Sequence, residues 1–291
     1  MAAPITTKKT TRHTITLPNA PDRFIVGVLE QVALDQPTQG RKLALILHGA
    51  MGHKDYLYQK RLAHRLPIDS FRFDFRGNHE SPGPWLLDGL FDDVEDIEAA
   101  VAYLHEHYGY VVDLVVGHSR GSVMGMYWVS ISKAARHVRG YVNASGRYRM
   151  RGIFDNQSDE RHALLRKQGW FEERQTVARK PFRAIVTLEQ LEAFARFNAA
   201  HVWDDFPQST HVLTLHGVQD KVVPVFDAVL YARAFGARNA GTHSLHLIET
   251  ADHNFTGMQD DIAATILEWW DHLEQEKLKT GVWNTGVRPK L

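Results

Sequence analysis

The chain has no cysteine in 291 residues. That absence removes disulfides, thiolate nucleophiles and cysteine-ligated zinc together, and it fits a reducing compartment without requiring one. Net charge is also lacking, since 34 Lys and Arg stand against 34 Asp and Glu. With no overall field to draw the chain to a polyanion, neither nucleic acid nor anionic lipid is an expected partner. No apolar run approaches the roughly 18 residues that would suggest a membrane span, and the first twenty residues contain no signal-peptide core. A soluble, intracellular, cytoplasmic protein is expected. The threonine-rich opening, with Lys8, Lys9 and Arg12 and no acid before Asp22, is only faintly like an organelle transit peptide and reads as a disordered lead-in.

What is present is enough to fold. Hydrophobic residues make up 44% and charged residues 23%, so burial can offset chain entropy. Short β-rich apolar runs at 24–32, 42–48, 70–75, 111–116, 138–143, 211–216 and 244–249 alternate with helical periodicity at 55–66, 92–108, 119–135, 225–235 and 258–277. Alternation of that kind predicts an α/β fold, a mostly parallel open sheet with helices on both faces, because parallel strands need long crossovers. The pattern breaks at 147–206, where two helix-like stretches surround Phe182 and no strand is expected. Between 147 and 183 this insertion carries ten Lys or Arg against five acids. The expected organisation is a lead-in at 1–23, a core at 24–146 and 207–277, the insertion at 147–206 and a loose polar tail at 278–291. The acid run at 88–98 reads as a solvated helix start, where the macrodipole favours negative charge.

The chemistry concentrates in VVGHSRGSVMGM. Gly117, Ser119 and Gly121 form Gly-x-Ser-x-Gly between an apolar strand and a helical run, a turn tight enough to need residues without a β-carbon on both sides of the serine. A nucleophilic serine requires a base, a group that orients it, and an oxyanion hole. The loop after 211–216 carries Asp220, and the loop after 244–249 carries His253, giving the chain order Ser, Asp, His. The loop after 42–48 offers the Ala50 N–H as one oxyanion donor, and Arg120 offers the second. Asp252 is a rival acid, but consecutive residues seldom let the first side chain reach the far ring nitrogen of the second, so Asp220 is preferred.

These motifs resemble the serine α/β-hydrolases, in particular the group of cinnamoyl and feruloyl esterases and related small carboxylesterases. The resemblance covers roughly residues 24–277 and includes FDFRGNHESPG, in which Asp74, Arg76, Gly77 and Ser81 match a family segment and His79 stands where glycine is usual. It implies an α/β-hydrolase fold with a helical lid formed by the insertion, and ester cleavage through an acyl-enzyme on Ser119, without a cofactor. A small-molecule ester is then the expected partner. Lactone, thioester and short-peptide cleavage on the same triad, or a non-catalytic ligand receptor on this fold, are the alternatives.

Other features have plainer readings. Seventeen histidines include no His-Glu-x-x-His, so no metal site is expected. The segment 49–54 lacks the spacing of a phosphate loop. His48 and His118 read as loop-fixing or packing residues. The insertion's aromatics read first as its core, with Trp170 and Phe182 as candidate substrate contacts, and its basic residues read as solvated faces or as a preference for substrates bearing carboxylate or phosphate.

Overall fold

In the segment KLALIL every side chain after the first is buried, and successive residues point to opposite faces. Leu43, Leu45 and Leu47 join one apolar cluster while Ala44 and Ile46 join another. A strand buried on both faces belongs in the middle of a parallel sheet, and each such leucine contributes roughly 1.5–3 kcal/mol on burial.

The computed structural model describes residues 8–18 and 20–287. The main sheet is built from β1 (Lys9–Leu17), β2 (Ala20–Gln31), β3 (Lys42–Leu47), β4 (Asp69–Asp74), β5 (Val111–His118), β6 (Gly140–Ala144), β9 (His211–Gly217), β10 (His243–Ile248) and β11 (Gly281–Val282). A separate hairpin consists of β7 (Trp170–Val177) and β8 (Lys180–Thr187). Strand order is β1-β2-β4-β3-β5-β6-β9-β10-β11, antiparallel from β1 through β4 and parallel thereafter.

The helices are α1 (Gln59–Arg65), α2 (Leu90–Tyr108), α3 (Arg120–Ile131), α4 (Asp159–Gln168), α5 (Leu188–Ala195), α6 (Phe226–Gly236) and α7 (Gln259–Glu274). Helix α2 buries Leu90, Val94, Ile97, Val101 and Leu104, a stripe at three- and four-residue spacing, and stops at Gly109 in the left-handed conformation (φ 72°). Its cluster covers one face of the sheet with α3, and α1 and α7 supply the other through Leu62, Ile262, Ile266 and Trp269. Among the described residues no helix is long and apolar enough to cross a membrane.

Three expectations are corrected here. Much of the expected lead-in is strand: β1 turns Thr11, His13, Ile15 and Leu17 inward against β2, an alternation written partly in Thr and His rather than apolar residues. Residues 1–7 and 19 lie outside the described residues. The insertion is not purely helical, because β7 and β8 lie between α4 and α5. Their two-residue turn places Ala178 and Arg179 at positive φ (49° and 64°), without the Gly or Asn that usually announces such a turn. The tail is docked as far as it is described: β11 pairs with β10, and Trp283 packs edge-on to His246 and His272. Residues 288–291 are outside the described residues.

Candidate active site

Ser119 is the single residue between β5, in mid-sheet, and α3. It has φ 52° and ψ −122°, a conformation L-residues avoid, so the surrounding packing must hold it. The flanking glycines show how closely. A Cβ on Gly117 would lie 2.4 Å from the Ser122 Cα, and one on Gly121 would lie 2.2 Å from the His48 carbonyl oxygen.

The loops after β9 and β10 meet at this turn. His253 Nε2 is 3.0 Å from Ser119 Oγ, and its Nδ1 is 2.7 Å from Asp220 Oδ2. The backbone N–H groups of Val222 and Val223 donate to the other Asp220 oxygen, both at 2.8 Å. Burial pushes the Asp220 carboxyl upward, but hydrogen bonds from His216, His253 and Val223 outweigh it and hold the group well below the usual carboxylate range. The rival acid points elsewhere: Asp252 accepts the N–H groups of Asn254 and Thr256 at 3.1 and 2.9 Å.

Ala50 and Arg120 line the same cavity as Ser119, and among the described residues neither N–H is taken up by a turn or side-chain hydrogen bond. His48 fixes the loop that carries Ala50. Its Nε2 accepts the Phe75 N–H at 3.0 Å, which leaves Nδ1 to donate to the Gly49 carbonyl at 2.7 Å. Burial lowers this imidazole to about 4, so it is neutral near pH 7. The Arg120 guanidinium is turned aside, bonded to Asp93 at 2.6 Å and to the carbonyls of Leu86, Leu87 and Gly89.

The acid run that reads as a solvated helix start is therefore partly interior. Asp93 receives Arg120, and Asp96, fully buried, receives the Arg76 backbone and guanidinium at 2.8 Å. His79, where the family usually has glycine, sits at φ 46°, which accounts for glycine there, and its ring lies 5.1 Å from that of His53. Asp74, His79 and Glu80 converge closely enough to suggest a metal cradle, yet the Lys54 ammonium already bridges Asp74 and Glu80. That pairing also occupies the lysine of the phosphate-loop-like segment.

The cavity in front of Ser119 has a volume of about 380 Å³. The insertion supplies much of its wall, including Met150, Ile153, Phe171, Val186, Leu191 and Phe194. Trp170 and Phe182, the aromatics singled out from the sequence, do not line it. Trp170 precedes Phe171 on β7, so strand alternation buries Phe171 (2% exposed) and turns Trp170 outward (40%). Phe182 packs edge-on against Trp85, which does reach the cavity. Of the insertion's aromatics it is Phe171 and Phe194 that reach the wall, and period-two alternation singles out the first once the hairpin is recognised.

Comparison with known proteins agrees with the fold. The model of the alpha/beta hydrolase family matches residues 44–265. The uncharacterized protein YDL057W of Saccharomyces cerevisiae is 32% identical over 239 residues, which cover 76% of this chain and 70% of that protein. Among solved structures, Est1E from Butyrivibrio proteoclasticus with bound ferulic acid superposes with a TM-score of 0.68 at 15% identity, covering 90% of this chain and 99% of that one. The esterase Pf2001 of Pyrococcus furiosus gives 0.64 at 15% identity and 91% of each chain.

Proposed function

The chain belongs to the alpha/beta hydrolase family, and from that premise we propose that it is a serine carboxylesterase acting on small esters through an acyl-enzyme on Ser119. One observation carries the reading: the continuous path from Ser119 Oγ through the His253 ring to Asp220, at 3.0 and 2.7 Å, opening on a mainly apolar cavity. In this reading His253 takes the hydroxyl proton as the serine oxygen bonds to the ester carbonyl carbon, and Asp220 fixes the imidazole tautomer. The Ala50 and Arg120 N–H groups stabilise the oxyanion, aided by the positive end of α3. Collapse of the tetrahedral intermediate breaks the bond to the alkoxy oxygen, and His253 returns the proton to the departing alcohol. Water, deprotonated by the same imidazole, then releases the acid and restores Ser119. The insertion would act as a lid whose inner face selects the acyl or alcohol group. The esterase Pf2001 and the ferulic acid held by Est1E point to the same substrate class by analogy of fold.

The test is turnover of a series of 4-nitrophenyl esters beside the matching thioester, lactone and anilide. Ester hydrolysis is expected with an early burst of nitrophenol, an acyl mass on the peptide containing Ser119, and a loss on the order of 10⁴ or more in Ser119→Ala and His253→Ala. Activity above a tenth of wild type in either variant would remove the mechanism. Binding without turnover anywhere in the series would favour a ligand receptor.

A further inference from the structure

Arg147 opens the insertion, directly after the loop that follows β6, and is only 5% exposed. Buried guanidinium groups are normally paired with carboxylates, since an unpaired buried charge is costly. The other arginines this deeply buried obey the rule: Arg72 contacts Glu30 and Asp55, and Arg120 contacts Asp93. Among the described residues, Arg147 has no carboxylate within 4 Å. Its Nη2 donates to the Val222 carbonyl at 2.5 Å and to Asn156 Oδ1 at 3.3 Å, while its Nη1 is buried without any partner. Gly152 packs beside that nitrogen, since a Cβ there would stand 3.0 Å from it, and it borders a second cavity that Arg147 also lines.

Arg147 lines the same cavity as Ser119. The charged lining of that cavity is unbalanced, with Arg120, Arg147, Arg161 and Lys221 against Glu173 alone. Asp93 satisfies Arg120, and Glu173 satisfies Arg161 at 2.7 Å, so the cations without a salt bridge are the exposed Lys221 and Arg147, which Asp227, Asp220 and Asp155 attract from beyond 4 Å.

Building on the esterase reading, we propose that the preferred substrates carry a carboxylate, received by the Arg147 guanidinium, as well as the ester that Ser119 attacks. The apolar walls hold the segment between these two groups, and the guanidinium fixes its far end. Arginine suits this task because its planar donors match a carboxylate and its charge persists at any working pH. A purely structural Arg147, clipping Val222 in the Asp220 loop to the insertion, would instead affect acidic and neutral esters equally.

Two matched pairs test the assignment on the full-length protein. Mono-4-nitrophenyl glutarate and 4-nitrophenyl pentanoate differ by a carboxylate on the acyl side, and 4-butanoyloxybenzoate and phenyl butanoate differ by one on the alcohol side. At low ionic strength at least one acidic ester should exceed its neutral partner at least ten-fold in kcat/KM. That ratio should fall at least ten-fold in Arg147→Gln and less in Arg147→Lys. Preference for neither acidic ester, or a preference unchanged in Arg147→Gln, overturns the assignment while leaving the esterase reading intact. Calorimetric titration of glutarate provides an arm independent of turnover, with binding to wild type and none to Arg147→Gln expected. If no ester is cleaved but glutarate binds in this manner, the esterase reading fails and the anion site stands. Absence of glutarate binding to wild type, with no preference for acidic esters, sinks the site even if the variant is too unstable to purify.

Discussion

The His216 ring lies 3.3 Å from Asp220 Oδ2, the same oxygen that faces His253, and both side chains are wholly buried. His216 Nε2 is also 2.8 Å from the Val223 carbonyl, so that nitrogen bears the proton and serves both acceptors. His216 thus ties Asp220 to the loop that carries it, acting as a positioning residue one step behind the proposed triad.

Removing that donor should slow turnover without weakening binding. His216→Asn is expected to lower kcat about ten-fold with little change in KM, whereas His216→Gln, whose amide nitrogen reaches the Nε2 position, should retain most activity. Equal losses in the two variants would show that the ring only fills space. In the same assay Asp220→Asn should cost on the order of 10³ to 10⁴, and Asp252→Asn far less.

The steric argument for the Ser119 turn can be read in stability. Gly121→Ala would press a methyl group against the His48 carbonyl, where backbone must move, and should cost roughly 1–3 kcal/mol in urea denaturation. Gly236→Ala, whose nearest neighbour would be Thr280 Cγ2 at 3.8 Å, should be neutral or stabilising by up to about 1 kcal/mol. A Gly121→Ala protein as stable as wild type would mean that the turn is looser than its geometry.

Those glycines were legible in the sequence because the steric demand leaves one residue type. The seven core strands were legible too, since a strand in the middle of a sheet reads as a short apolar run, as β3 and β5 do on both faces. The candidate triad and oxyanion donors followed from which loop leaves which strand. What stayed hidden depended on pairing across space. Nothing in the segment 88–98 says that Asp93 and Asp96 turn inward to Arg120 and Arg76, and nothing near Arg147 says that it has no carboxylate. The β7–β8 hairpin was missed because its turn is Ala-Arg and its strands carry charges along their exposed face.

Acid stability offers a check on a buried histidine. Burial lowers His201 to about 4 against some attraction from Asp205. Between pH 6.5 and about 4 the unfolded chain therefore takes up a proton that the folded protein refuses, and stability falls as pH falls through that window. His201→Asn, which can still meet the Ser130 hydroxyl, lacks this proton. The wild type's stability relative to the variant should decline by about 1.4 kcal/mol per pH unit near pH 5 and level off below 4. Parallel urea titrations at five pH values would show it, and a constant difference would mean that His201 protonates in place.

The inner and outer faces of β7 separate a cavity wall from a surface. Phe171 and Phe194 line the Ser119 cavity, whereas Trp170 is exposed and Phe182 reaches it only through Trp85. If the insertion selects substrates, Phe171→Ala and Phe194→Ala should shift the preference among 4-nitrophenyl esters of different acyl length at least ten-fold relative to the acetate, which is too small to span the cavity. Trp170→Ala should leave that preference within two-fold, because its side chain meets solvent. Both phenylalanines are also packed, so each substitution should cost about 3–5 kcal/mol, and melting curves must accompany the kinetics. A loss of stability with all esters slowed alike would make these rings core residues only, and specificity would then rest on the polar end of the cavity at Arg147.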